Sequence, residues 1–335
     1  MQVLIVNQAE VPRLLPMKAC MEAMAEALRS VSRGESVLPL RQVIMLPDQA
    51  GAFGSMPAYL GSPPAIGLKS ITVFPGNHGT ELDSHQGAVL LFETKRGSLL
   101  AVMDASSITA IRTAAVSGVA TRLLARADAG DLALVGTGVQ ALTHLEAMSH
   151  ARPLRRVRAW SRRPDHVHAF AQRAERSLGL KVEAAPSARE AVRGADLVCT
   201  VTSSREPVLE GEWLSPGAHV NAVGASLAAA RELDTAAVVR ASLFVDRRES
   251  ALNEAGDFLI PRREGAIDDG HIRAELGELL LGSRPGRQSD SEITVFKSLG
   301  LAVEDVAAAR LIYDNAVRAG AGTRVELGGA RDAGA

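Results

Sequence analysis

Hydrophobic residues recur at Met17, Cys20, Met21, Met24 and Leu28, the i, i+3, i+4, i+7, i+11 spacing of a one-faced helix packed on a core. From Leu38 to Val102 the pattern breaks into short apolar runs, QVIML, IGLKSITVF, AVLLF and LLAVM, separated by Pro, Gly and Asn clusters. These predict strands of a mostly antiparallel sheet. Helical spacing returns in TAAVSGVATRLLAR, where Val116, Val119, Ala120, Leu123 and Leu124 share a face.

After Asp128 the pattern alternates regularly: strand LALV, helix from Gln140, strand VRAW, helix from Pro164, strand KVEA, a short helix, then strands LVCTVT, HVNAV and LFVD. That alternation predicts βαβ units and a parallel sheet. Ser187 followed by Glu190 reads as a capping box for the short helix, which Gly194 closes. A final helix is expected from roughly Val303 to Ala319, and the Gly/Ala-rich end GAGTRVELGGARDAGA is expected to be mobile.

A length of 335 residues exceeds the usual size of one core and favours two domains. With 37 basic and 38 acidic residues the net charge is −1, which offers no surplus for nucleic acid or an anionic membrane. A small-molecule partner is expected instead. Cys20 and Cys199 have no CxxC spacing, so neither a disulfide framework nor a metal site is expected. The opening MQVLIVNQAEVPRLL lacks a basic leader, and no run of 18 apolar residues occurs, so the expectation is a cytoplasmic protein, neither secreted nor membrane-spanning.

The chemistry begins at LALVGTGVQALTHLEAM, where Gly136, Gly138 and Ala141 form GxGxxA between a strand and a helix. Gly136 permits the turn, Gly138 lets backbone approach a pyrophosphate, and Ala141 allows close helix–strand packing. The end of the next strand chooses the cofactor. An acidic residue there would hold the ribose hydroxyl of NAD, but the chain reads Trp160-Ser161-Arg162-Arg163. Two guanidiniums suit a 2′-phosphate, so NADPH is expected, with NADH the weaker alternative.

From Arg41 to the last helix the chain resembles the ornithine cyclodeaminase/mu-crystallin family. The resemblance rests on GLKSITVFPGN, SHQGAVLLFETKRGSLLAVMDASSITAIRTAAVSGVATRLL, GTGVQA, EPVLEGEWLSPGAHVNAVGAS, REL, AELGEL and TVFKSLGLAVEDVAAARLIYDN, in order. It implies an α/β fold: a Rossmann NAD(P)-binding domain over 116–302, plus an α+β substrate-binding and dimerisation domain from 1–115 with 303–335. A homodimer is expected. The substrate carboxylate would be held by Arg41 in LPLRQ, Lys69 in GLKS, Ser84 in DSHQ and Arg112 in TAIRTAA. Fixed guanidiniums can orient a carboxylate so that its neighbouring carbon faces the nicotinamide. The expected cofactor-binding set comprises Gly136, Thr137, Gly138, Val139, Gln140, Ser161, Arg162, Arg163, Thr202, Val223 and Ser298.

Cyclodeaminases of this family carry an aspartate in a GGDxPG segment where this chain reads Gly224-Ala225-Ser226, and the proline that follows in the reductase form is replaced by Ala228. A serine hydroxyl is no ionised base near neutral pH. The resemblance therefore implies a ketimine reductase taking cyclic imino acids such as Δ1-piperideine-2-carboxylate and Δ1-pyrroline-2-carboxylate to pipecolate and proline. Lys69, Arg112, Ser226 and His85 are its candidate catalytic residues, His85 either supplying a proton or packing against substrate. His166 and His168 are read as surface residues. The alternatives are an ornithine cyclodeaminase, an alanine or N-alkyl-amino-acid dehydrogenase, and a non-enzymatic protein binding NADPH and thyroid hormone.

Overall fold

The computed structural model describes residues 2–77 and 80–329. Contacts divide the chain into one unit of Met1–Arg112 with Leu301–Ala335 and a second of Thr113–Gly300.

In the first unit β1 (Gln2–Val6), α1 (Val11–Leu14) and α2 (Met17–Ser32) lead into β2 (Gln42–Met45), β3 (Ala52–Leu60), β4 (Ala65–Val73), β5 (His85–Phe92) and β6 (Leu99–Asp104). The α2 face predicted from spacing is the buried one, with Met17, Cys20, Met21, Met24 and Leu28 all inside. From β2 to β6 each strand pairs antiparallel with the next, because short turns permit only that pairing. The helix α3 (Ala105–Leu124) follows at once and continues past the unit boundary. It begins earlier than its periodicity suggested. Val116, Val119, Ala120 and Leu124 of the expected face are buried, and so is all of Ile111–Ala120, which places polar residues such as Ser117 inside too.

The second unit contains β7 (Asp131–Val135), α4 (Val139–Ala151), β8 (Arg156–Trp160), α5 (Pro164–Leu178), β9 (Glu183–Ala184), α6 (Ala188–Val192), β10 (Leu197–Thr200) and β11 (His219–Ala222). It closes with α7 (Thr235–Arg240), β12 (Ser242–Val245), α8 (Arg248–Glu254), α9 (Gly256–Arg263), β13 (Ile272–Glu275), α10 (Leu276–Leu280) and β14 (Thr294–Lys297). The chain then returns to the first unit as α11 (Ala302–Ala319) and β15 (Thr323–Glu326).

All eight strands of the second unit pair in parallel, in the order β13-β12-β14-β11-β10-β7-β8-β9. This is a doubly wound Rossmann-type sheet. Its strand order reverses beside β7, and in such sheets a ligand binds at the carboxyl ends of the strands flanking that point. β10, β11 and β14 are buried at every position, as strands covered on both faces must be.

The first unit's sheet runs β15-β1-β6-β5-β4-β3-β2. Its β15 corrects the expectation of a mobile end: Thr323–Glu326 pairs antiparallel with β1, while 330–335 lie outside the described residues. Every residue of β15 is exposed, so no apolar alternation announced it and only the free edge of β1 defines it. KVEA is likewise shorter than expected, two residues in β9. At α6, Ser187 accepts from the Glu190 amide at 3.1 Å and caps the helix.

Candidate active site

The buried face of β4 carries Ala65, Gly67, Lys69 and Ile71, the period of two that strand geometry imposes. Against it lies α11, which brings Glu304 and Asp305 in its first turn, where helix-end amides favour negative charge. A Cβ on Gly67 would sit 2.6 Å from Val306 Cγ2, so a glycine is required for α11 to come this close.

The helix thereby delivers two carboxylates to two cations. Lys69 Nζ is 2.8 Å from Asp305 Oδ2, Arg112 Nε donates to Asp305 Oδ1 at 2.9 Å, and Arg112 Nη1 donates to Glu304 Oε2 at 2.8 Å. All four side chains are buried. Burial pushes the Lys69 ammonium down to about 8, a shift that Asp305 opposes and Arg112 reinforces. For Asp305 burial raises the pKa, but Arg112 and Lys69 outweigh it and hold the carboxyl below its ordinary value. Arg41, half-buried just ahead of β2, adds its positive charge to the field at Lys69. Lys69, Arg112 and Arg41 thus gather around one acidic pair, cations of the kind that hold a carboxylate. Glu304 and Asp305 were not among the expected site residues; two adjacent acids in the apolar run AVEDVAAA were the available signal.

Ser84 and His85 sit together, Ser84 Oγ lying 3.1 Å from His85 Nδ1, and Ser106 on the first turn of α3 donates to the His85 carbonyl. His85 pairs with Val73 across the β4–β5 ladder, whereas Lys69 pairs with Val89. Four residues of strand separate the two registers, about 13 Å along the sheet. The structure thus groups Arg41, Lys69 and Arg112, and sets Ser84 and His85 further along the strand.

In the second unit the chain turns sharply after β7. Gly136 has φ +111°, and a Cβ there would lie 2.8 Å from the Val201 carbonyl, so only glycine makes this turn. Thr137 is half-buried, Gly138 and Val139 are exposed, and a Cβ on Gly138 would meet nothing within 4 Å. No side chain caps the first turn of α4. The Gln140 side-chain oxygen is buried without a partner, an acceptor left for a ligand hydroxyl. An open glycine loop, an uncapped helix start and a spare acceptor fit a dinucleotide.

Ser161 lies half-buried at the end of β8, next to exposed Arg162 and Arg163. His166 and His168 are exposed on α5. Beyond β10 and β11 stand Thr202 and Val223, both half-buried, and Ser226 follows in an irregular segment. Ser298 is buried past β14, its amide donating to the Ala222 carbonyl at 3.0 Å. Thr202 is held by Glu232, a residue of the REL segment to which no site role was given: Glu232 Oε1 accepts from the Thr202 amide and hydroxyl, each at 2.7 Å. Among the described residues no His, Cys, Asp and Glu cluster suited to a metal is present, and no helix is long and apolar enough to cross a membrane.

The model of the ornithine cyclodeaminase/mu-crystallin family matches residues 1–320. The chain is 44% identical over 292 residues to the ketimine reductase mu-crystallin of Mus musculus, covering 86% of this chain and 89% of that protein. It is similar in structure to the Δ1-pyrroline-2-carboxylate reductase of Thermococcus litoralis in complex with NADH and L-proline, with a TM-score of 0.94, 39% identity, and coverage of 96% and 100% of the two chains. It is also similar to an archaeal alanine dehydrogenase dimer with bound NAD, with a TM-score of 0.91, 34% identity, and coverage of 97% and 99%.

Proposed function

The chain belongs to the ornithine cyclodeaminase/mu-crystallin family, and from that premise we propose that it is an NADPH-dependent reductase of cyclic imino acids. Its substrates in this reading are cyclic ketimines bearing a 2-carboxylate, such as Δ1-pyrroline-2-carboxylate and Δ1-piperideine-2-carboxylate. The observation that carries the reading is the buried Lys69–Arg112 pair, fixed by Asp305 and Glu304 and supplemented by Arg41. Buried guanidinium and ammonium donors are what a carboxylate ligand requires.

Arg41, Lys69 and Arg112 bind that carboxylate and thereby fix the imine carbon beside it. Gly136–Gln140, together with Ser161, Thr202, Val223 and Ser298, hold the dinucleotide, and Arg162 and Arg163 take its 2′-phosphate. NADPH, when bound, supplies the hydride. A cyclic ketimine arrives protonated on nitrogen, so Ser226 need only hydrogen-bond near that nitrogen, and no ionised base is required. His85, in contact with Ser84, either supplies a proton or packs against the substrate. The absence of a carboxylate at 226 separates this reading from a cyclodeaminase, which must move protons on the substrate amine.

A homodimer is part of the proposal. β2 is one of the two edges of its sheet, and Val43, Ile44 and Met45 are exposed on it, an apolar edge that a second copy would cover.

The test is an NADPH-oxidation assay across cyclic 2-carboxy imines, pyruvate with ammonia or methylamine, and ornithine. Stoichiometric oxidation with the cyclic imine and no ammonia from ornithine is expected. Faster turnover with pyruvate and an amine would make the chain an amino-acid dehydrogenase, and ammonia with proline from ornithine would make it a lyase.

A further inference from the structure

Glu232 is fully buried between α9 and the loops that follow β10 and β11. Four donors converge on its carboxylate. Oε1 takes the Thr202 amide and hydroxyl, while Oε2 takes the Thr200 hydroxyl at 2.8 Å and the Gly224 amide at 2.6 Å. Each oxygen accepts one backbone amide, contacts that favour the ionised carboxylate, and meets one hydroxyl. Burial holds its carboxyl above the ordinary range; Lys297 and the Thr202 donors oppose that rise, and Asp257 adds to it.

The neighbouring charges do not cancel it. Lys297 is buried at the end of β14, and its Nζ lies 2.9 Å from Asp257 Oδ2. Asp257 Oδ1 accepts from the amides of Glu232 and Leu233 at 2.8 and 2.9 Å. One lysine therefore answers two carboxylates, and with both ionised the cluster carries one negative charge in a low-dielectric interior. Its position is specific. Thr200, Thr202 and Gly224 stand at the carboxyl ends of β10 and β11, on the side of the strand-order reversal away from β8, where a doubly wound sheet receives the second nucleotide of a dinucleotide. That nucleotide carries the nicotinamide.

We propose that Glu232 is a positioning residue of the dinucleotide site that ties the β10 and β11 loops together and, through its uncompensated charge, favours the oxidised, cationic nicotinamide over the reduced, neutral ring. The inference rests on the reading of this unit as a nicotinamide dinucleotide site. When hydride leaves C4 of the dihydronicotinamide with its electron pair and adds to the imine carbon, the ring it leaves becomes a cation. A fixed anion nearby lowers the energy of that charge as it develops, so Glu232 biases the site toward giving hydride away.

The experiment compares the affinities of NADP+ and NADPH for the full chain by isothermal titration calorimetry. Glu232→Gln preserves shape and removes the charge. It should weaken NADP+ several-fold more than NADPH, because only the oxidised ring carries the charge that Glu232 would meet. Glu232→Asp, which keeps the charge, should restore most of the ratio. Lys297→Gln deletes the opposing charge and should move the ratio the other way, so the inference stays testable even where Glu232→Gln does not fold. Equal weakening of both forms by Glu232→Gln, or an unmoved ratio in Lys297→Gln, overturns the electrostatic role while leaving the dinucleotide site standing. A wild type that binds neither form removes the site reading and this inference together.

Discussion

In the unit built on the seven-stranded sheet, two buried cations are held by carboxylates; in the unit built on the parallel sheet, a buried carboxylate is held by amides, hydroxyls and a shared lysine. Arg41 adds to the positive field at Lys69 in the first cluster, and the second sets one lysine against two carboxylates. Charges taken out of water are costly unless paired, so each cluster is built from partners brought close together. In the proposed reading the first cluster meets an anion that arrives. The second, on the same reading, meets a cation that forms during the reaction. The clusters also differ in what fixes them: Arg112 and its partners lie 192 and 193 residues apart in sequence, whereas Glu232 binds donors within 32 residues.

The contrast is tested most severely at Asp305, which serves both Lys69 and Arg112. Asp305→Ala should leave two buried cations short of a partner and cost about 3–5 kcal/mol of stability in chemical denaturation. A loss no greater than that in Glu232→Gln would erase the distinction between ion-paired and dipole-held clusters. Next in size, Arg112→Ala should raise the barrier to reduction of the carboxylated imine by about 2–5 kcal/mol while leaving NADPH affinity nearly intact. Wild-type kinetics on the acid would remove the anion-holding role from the first cluster.

The pH dependence sharpens the same difference. The Lys69 pKa in the folded protein is about 8, below the ordinary 10.5, so its buried charge weakens the fold fully below pH 8. Between about 8 and 10.5 the unfolded chain binds more protons, and the contribution of this group to stability rises with pH. Substrate affinity should move oppositely, KM for the imino acid increasing above pH 8 as the ammonium is lost, with no matching change in NADPH affinity. A flat KM from pH 7 to pH 9 would show that Lys69 does not hold the carboxylate. In the second unit, Arg162→Ala with Arg163→Ala should raise KM for NADPH well beyond that for NADH, and equal rises would deny them the 2′-phosphate. The smallest effect belongs to Ser226→Ala, where loss of one neutral hydrogen bond costs about 0.5–1.5 kcal/mol and much reductase activity should survive.

Much of the fold was legible from local pattern. The face of α2, the strands β2, β4, β5 and β6, the alternation of strands from β7 to β12 and the last helix all follow spacing or turn residues. The strand β14 escaped because four residues ending in Lys297 give too short a period to read, although it lies between β11 and β12 in the middle of the sheet. β1, β3, β13 and β15 escaped for related reasons: an apolar run names no partner, and β15 has no apolar face at all. Among candidate site residues, Gly136 and Gly138 carried a local signal because the tight turn demands them. Arg41, Lys69 and Arg112 were legible only through the family resemblance.

By itself the sequence determined a parallel α/β unit with a glycine turn suited to a dinucleotide, arginines after β8, and no acid at Ser226. These depend on residues within a turn or two of one another, where periodicity and backbone sterics act. The tertiary structure alone decided that Asp305 faces both Lys69 and Arg112, that Glu232 joins the loops after β10 and β11, and that Lys297 answers Asp257. An ion pair requires approach within a few ångströms and excludes water to become strong, and that approach is a property of how α11 lies on β4 and how β14 enters the sheet. No spacing along the chain encodes it.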